Sequence, residues 1–217
     1  MIKYFNCAIG AGSVVLTAFI LVGSVQARPA RFLKPAYYPE VGVFLVAKRG
    51  LTDPNFRRRV LLLVQHNDRG SLGVIVNRRS RWTLLDVIPS LGRLVKRRTP
   101  VYIGGPVRMN RASFLWRSKN GLSHLRKVVP GVYFGNDRRD LERILKRHPG
   151  DYRFRIYVGY AGWVAGQLSY EIRRGDWHML RAEPAYIFSG KPGSLWQRLI
   201  NRIPHGGMIV STSPTTT

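Results

Sequence analysis

Two short apolar runs constrain this chain more than any other feature. Val60-Leu61-Leu62-Leu63-Val64 and Leu72-Gly73-Val74-Ile75-Val76 are separated by seven residues that include Asn67-Asp68-Arg69-Gly70. Each run is apolar throughout rather than at alternate positions, so each reads as a buried strand. The Asn-Asp-Arg-Gly connection is turn chemistry and predicts a hairpin-like link. A fold built on such a pair must supply cover for it. With 217 residues, 45% of them hydrophobic and 11% aromatic, the chain has the material for one proper core. Disorder throughout is excluded by the aromatic content, and a disulfide scaffold by the single cysteine, Cys7.

Strand runs also fall at Val41–Ala47, 101–103, 113–116, 132–134 and 152–159. Asp53-Pro54-Asn55 reads as a turn. A helical segment is expected from Leu84 to about Arg97, interrupted or restarted at Pro89. The clearest helix is 136–147: Asn136 is placed to cap it, Leu141, Ile144 and Leu145 share one face, and Lys146 and Arg147 sit at its negative end. Further helices are expected over 165–174, closed by Gly175, and over 195–203. Strands dominate early and helices are interspersed later, which predicts an α+β class rather than an alternating parallel sheet.

The N-terminus carries Lys3, an apolar or small run over 13–23, and the small-x-small exit Val25-Gln26-Ala27 before Arg28-Pro29. That pattern predicts a signal peptide over 1–27 and an exported protein in the periplasm or cell envelope. An uncleaved N-terminal membrane anchor is the alternative. Residues 28–40, with three prolines, read as an extended lead-in. Residues 41–204 form the expected domain, and 205–217 a disordered tail.

No phosphate-loop, nucleophile-elbow, zinc-protease or paired-cysteine pattern is present, and the five histidines are scattered. No catalytic residue, metal site or cofactor is predicted, and the sequence favours a non-enzymatic protein. Asp176 and His178, two residues apart, read as structural rather than metal-binding. The informative segment is 159–172, read as a strand ending in a glycine-rich turn that opens into a helix. Such a helix start favours an anionic group. Gln167 and Glu171 are four apart and stack on one helical face. Trp163 and Trp177 are candidate cavity walls. The plainer alternative is that the glycines serve packing and both tryptophans are core.

Four blocks carry a resemblance. They are Asp53-Pro54-Asn55-Phe56-Arg57-Arg58-Arg59-Val60; His66-Asn67 through Gly70 with Gly73-Val74-Ile75-Val76-Asn77; Gly104-Gly105-Pro106-Val107; and Gly159-Tyr160-Ala161-Gly162-Trp163 with Gly166-Gln167-Leu168, Glu171-Ile172 and Trp177. In this order and spacing they resemble the YqgE/AlgH family of bacterial proteins, over about residues 43–203. The resemblance implies an α+β fold whose branched, strongly bent sheet forms a partial barrel. It implies that Asn77, Gly104–Val107 and Tyr160–Trp163 converge on one shallow pocket. The family is linked to transcriptional regulation, notably of alginate production, without a recognised DNA-binding motif, and no reaction is established for it. This chain departs from the family pattern in its export signal, in its basicity, in the compressed stretch between Asn77 and Gly104, and in Gln65 before His66.

The expected ligand-binding set is therefore Asn77, Gly104, Gly105, Pro106, Tyr160, Gly162, Trp163, Gln167, Glu171 and Trp177. The expected partner is a small polar or anionic ligand. A second class of reading is an envelope hydrolase or transferase with Glu171 as base. With 36 Lys+Arg against 11 Asp+Glu, the formal net charge is +25, and basic clusters recur at 57–59, 78–81, 96–98, 138–139 and 173–174. That spread suits a solvated basic surface or attraction to an anionic envelope surface. Nucleic acid ranks behind both, because aromatic interleaving is poor and the export signal leads away from it. Nothing in the sequence sets the oligomeric state.

Overall fold

The computed structural model describes residues 38–94, 99–147 and 154–203. The expected signal peptide, the lead-in up to residue 37, the basic cluster at 96–98 and the tail from 205 lie outside the described residues.

The two apolar runs form β2 (Val60–Asn67) and β3 (Gly70–Ile75). They pair antiparallel with Asn67 opposite Gly70, so Asp68 and Arg69 make a two-residue turn. Gly70 takes a positive φ of 134° there, a conformation that only glycine adopts without strain. On the outer side of β2 lies β1 (Val43–Ala47), itself flanked by β10 (Trp177–Arg181). Every residue of β1 is buried, as a strand sandwiched inside a sheet requires.

The organising strand is β9 (Phe154–Val164). One of its edges is taken along most of its length by β6 (Val107–Arg117). Its other edge is shared. Ile156–Val158 pair in parallel with β5 (Pro100–Ile103), and Ala161–Val164 pair antiparallel with β3. The sheet branches where one partner gives way to the other. A short strand, β4 (Arg79–Thr83), flanks β5, while β8 (Val132–Gly135) and β7 (Arg126–Val129) continue beyond β6. The path β10-β1-β2-β3-β9-β6-β8-β7 curls on itself. Arg126 on β7 donates to the Val64 carbonyl and to Gln65 Oε1 on β2. The result is a half-barrel, antiparallel except for the β5–β9 pair.

The helices are α1 (Leu84–Val87), α2 (Arg138–Arg147), α3 (Gln167–Arg173), α4 (Pro184–Ile187) and α5 (Leu195–Ile200). Leu141, Ile144 and Leu145 of α2 pack with Phe114, Trp116 and Ile156 in one apolar cluster. A second, larger cluster joins β1, β2, β3 and α5. The fold is α+β, as the element mixture predicts. None of the helices among the described residues is long and apolar enough to cross a membrane.

Four local expectations change. The helix expected from Leu84 stops at Val87, and a single 3₁₀ turn (Pro89–Leu91) follows; Pro89 has no N–H to extend it. Asp137, not Asn136, caps α2, its Oδ1 accepting from Arg139 N at 2.7 Å. Strand β6 starts six residues before the predicted 113. Most consequential, the expected turn at Gly159–Trp163 is strand: β9 runs to Val164, and α3 begins at Gln167, after the left-handed Gly166 (φ 76°).

Candidate functional site

The branch point of the sheet is built from glycines. A Cβ on Gly105 would fall on the Tyr160 carbonyl and the Ala161 nitrogen, well inside contact distance. One on Gly104 would strike the Gly159 carbonyl and come within 3.2 Å of Tyr157 Cβ. Gly159 takes φ 68°, and a Cβ there would lie 2.7 Å from Met109 Sδ and 3.0 Å from the Val107 carbonyl oxygen. Backbone hydrogen bonds fix the crossing. Gly104 N donates to Val158 O at 2.8 Å, and Ile75 N donates to Gly104 O at 2.8 Å. Segments far apart in sequence thus meet here backbone to backbone, and the space between Gly104–Gly105 and Gly159–Tyr160 is filled.

Asn77 (4% exposed) stands at the end of β3. Its Oδ1 accepts from Val60 N at 2.9 Å, and its Nδ2 donates to the Arg58 carbonyl at 3.0 Å. Arg58 has φ 57°, and the Asn77 amide pins the carbonyl of that left-handed residue at the entry to β2. Both ends of this side chain are committed to backbone.

Glu171 sits on α3 between β9 and β10. Its Oε2 accepts from the indole Nε1 of Trp163 at 2.8 Å and of Trp177 at 2.9 Å. Its Oε1 accepts from Gln167 Nε2 at 3.1 Å, and Gln167 Oε1 accepts from Val164 N at 3.2 Å. Phe56 stacks on Trp163 at 6.5 Å and meets Trp177 edge-on at 5.7 Å. The two indoles are T-shaped to one another at 6.3 Å and nearly buried. One carboxylate therefore ties together two non-adjacent strands, and a base role for Glu171 would have to give up these bonds.

Open space lies on the other side of β9. In β6, Val107 pairs with Tyr160 but Ala112 pairs with Val158, so Arg108–Arg111 bulge out of the ladder. Beside this bulge is a cavity of about 200 Å³, lined by Leu72, Arg108, Arg111, Ala112, Ser113, Phe134, Asn136, Gly159 and Tyr160. Arg108 holds φ 49°, a left-handed backbone that costs a non-glycine residue about 1 kcal/mol or more and is found most often at functional sites. Neither arginine has a carboxylate partner among the described residues. Of the ten expected site residues, Tyr160 lines this cavity. Gly104 and Gly105 pack behind it at the branch, beside Pro106. Trp163, Gln167, Glu171 and Trp177 belong to the clamp around α3, Gly162 is exposed on the opposite face of β9 beside the Tyr160 ring, and Asn77 lies at the foot of β2. Arg108, Arg111, Ser113 and Asn136 were not among the expected residues. The basic pair following Gly104-Gly105-Pro106 is the one sequence signal for them.

Asp176 is held by Lys48 at 3.0 Å and by Arg174. Its burial raises the carboxyl's pKa, but the bonds from Arg174 and Lys48 outweigh this and leave it below the usual carboxylate range. Among the described residues no three His, Cys, Asp or Glu side chains come together in a way that would hold a metal ion.

The profile of the family described as DUF179, AlgH-like, matches residues 44–206. A UPF0301 protein of Chlorobium luteolum is 34% identical over 176 residues, covering 80% of this chain and 90% of its own length. A UPF0301 protein of Rhodococcus erythropolis is 36% identical over 183 residues, covering 81% and 90%. Among solved structures, the AlgH protein of Pseudomonas aeruginosa superposes with a TM-score of 0.63 at 26% identity, over 84% of this chain and 99% of that one. A Corynebacterium diphtheriae protein of known crystal structure gives a TM-score of 0.67 at 27% identity, over 78% and 90%. The match spans the half-barrel and its helices from β1 to α5, and on that ground the chain belongs to the AlgH-like family.

Proposed function

We propose that this protein is a non-enzymatic binder of a small anionic ligand, held in the cavity beside the β6 bulge. The observation that carries the reading is the pair Arg108 and Arg111, on a bulge with a left-handed residue, flanking a cavity with no acidic side chain in its lining. Guanidinium groups suit phosphate or carboxylate by fork-shaped donation. Ser113 and Asn136 add neutral polar groups, and Gly159 and Tyr160 complete the wall. A small phosphate-bearing or carboxylate-bearing molecule is the chemistry that fits.

Calorimetric titration of the full chain with inorganic pyrophosphate tests this. Saturable binding that weakens about tenfold or more in the double variant Arg108→Ala, Arg111→Ala supports the reading. Heat that never saturates, or binding that the double variant leaves unchanged, overturns it.

Export is part of the proposal and draws on Lys3, the apolar run over 13–23 and Val25-Gln26-Ala27. Mass spectrometry of the native N-terminus tests it: a chain starting at Arg28 supports export, and an intact Met1 refutes cleavage. The exposed arginines at 57, 58, 79, 81, 138, 139, 173 and 174 favour a second reading, attraction to an anionic envelope surface. Adsorption to phosphatidylglycerol vesicles that falls steeply with added salt is its expected sign; adsorption indifferent to salt counts against it.

A further inference from the structure

Arg155 is the buried cation that the proposed function does not use. It lies on β9 and is 7% exposed. Its Nη1 donates to the Val76 carbonyl at 3.1 Å and its Nη2 to the Ser189 carbonyl, while the guanidinium lies 4.5 Å from the centre of the Tyr102 ring. Carbonyl dipoles and the quadrupole of a ring face attract a cation but carry no net charge. Among the described residues no carboxylate pairs with Arg155. A buried charge left in this condition is costly unless something compensates it. Tyr157, which also interacts with Arg155, offers no counter-charge. Its fully buried hydroxyl makes no hydrogen bond of ordinary geometry, and burial pushes its pKa far up, so it stays neutral.

Arg155 also lines a cavity of about 340 Å³, separate from the one at the β6 bulge. The remaining walls divide by chemistry. Tyr102, Phe154, Phe188 and Pro192 are aromatic or cyclic, and exposed Arg79 adds a second cation. Among the described residues, two of the five guanidinium N–H groups of Arg155 donate to carbonyls. An inorganic ion would leave the apolar walls uncovered, and a neutral apolar molecule would leave the cation uncompensated. We infer that this cavity is a site for a small organic acid, its carboxylate on Arg155 and its flat apolar body between Tyr102, Phe154 and Phe188.

The probe is sodium benzoate, with benzamide as its neutral twin, added at constant ionic strength while the thermal midpoint and ¹⁵N–¹H spectra of the full chain are followed. Benzoate is expected to stabilise saturably and to shift the amides around Arg155 and Ser189, with benzamide about tenfold weaker or more. Arg155→Gln risks misfolding, so the deciding variants lie at the rim. Nothing stands within 4 Å of a Cβ on Gly190, and Gly190→Leu is expected to keep the thermal midpoint but abolish the benzoate response by filling the cavity. Arg79→Ala is expected to weaken it by about two- to fivefold. The double variant Arg108→Ala, Arg111→Ala is expected to leave it intact, which separates this site from the one proposed above. Equal responses to benzoate and benzamide, or a benzoate response that survives Gly190→Leu, overturn the inference.

Discussion

Replacing Glu171 by glutamine should destabilise the fold, and the size of the loss follows from the clamp geometry. Both indoles donate to one oxygen, Oε2, and Trp163 and Trp177 are 6% and 5% exposed. Glutamine can keep its oxygen at that position, but each indole bond then loses its charge assistance, about 0.5–1 kcal/mol apiece. The new NH₂ must then stand where Oε1 stood, facing the Gln167 Nε2 donor now 3.1 Å from it. Two donors repel. Gln167 can rotate its amide only by giving up Val164 N, a further ~0.5–1 kcal/mol. The total is about 2 kcal/mol, or a fall in Tm of roughly 4–8 °C for a domain of this size. Guanidinium denaturation and thermal melts of Glu171→Gln against wild type provide the assay, with Gln167→Ala expected to cost under about 1 kcal/mol. A Glu171→Gln protein within ~0.5 kcal/mol of wild type would refute the clamp. It would also revive the hydrolase reading, which requires lost turnover at unchanged stability.

Three further outcomes follow from the same structure. Gly105→Ala places a methyl on the Tyr160 backbone and is expected to cost about 3 kcal/mol or more, read as a loss of soluble protein or a Tm lower by roughly 6–12 °C. Asp176→Asn is expected to cost about 1–2 kcal/mol at neutral pH. Because the folded carboxyl titrates below its ordinary value, the wild type's advantage is complete above that value and disappears as pH falls through the lowered one, measured as converging denaturation midpoints. His178 is held below its usual pKa by burial and by the Arg49 charge. The fold therefore loses stability as pH falls below about 6.5, and His178→Gln should flatten that part of the stability–pH curve.

The β2–β3 hairpin was legible because its signals are local: unbroken apolar runs and a turn sequence that matches the observed two-residue loop. Helix α2 was legible for the same reason, its apolar face and its charges all lying within ten residues. Strand β9 was misread because its glycines answer to partners elsewhere in the chain. Gly159 is small for the sake of Met109 and Val107, and Gly105 for the sake of Tyr160; neither requirement leaves a mark nearby. An alternation was present, with Ala161 and Trp163 buried and Gly162 and Val164 exposed, but three glycines in eight residues argue for a turn under local rules. Trp163 and Trp177 were read as candidate cavity walls and Glu171 as the neighbour of Gln167, and their spacing does not reveal that both indoles converge on one carboxylate oxygen. The arginines of the β6 bulge were missed because a bulge is defined by register against a partner strand. Arg155 gave no signal at all, since its burial depends on β5 and on the loop at Ser189.

The most direct test of the ligand site is a ¹⁵N–¹H titration of the intact domain with inorganic pyrophosphate at physiological salt. Saturating shifts are expected, confined to amides of residues 108–113, 136 and 159–160 and absent when Arg108 and Arg111 are both alanine. Shifts that climb without saturation and spread over all the arginine-rich faces would contradict it.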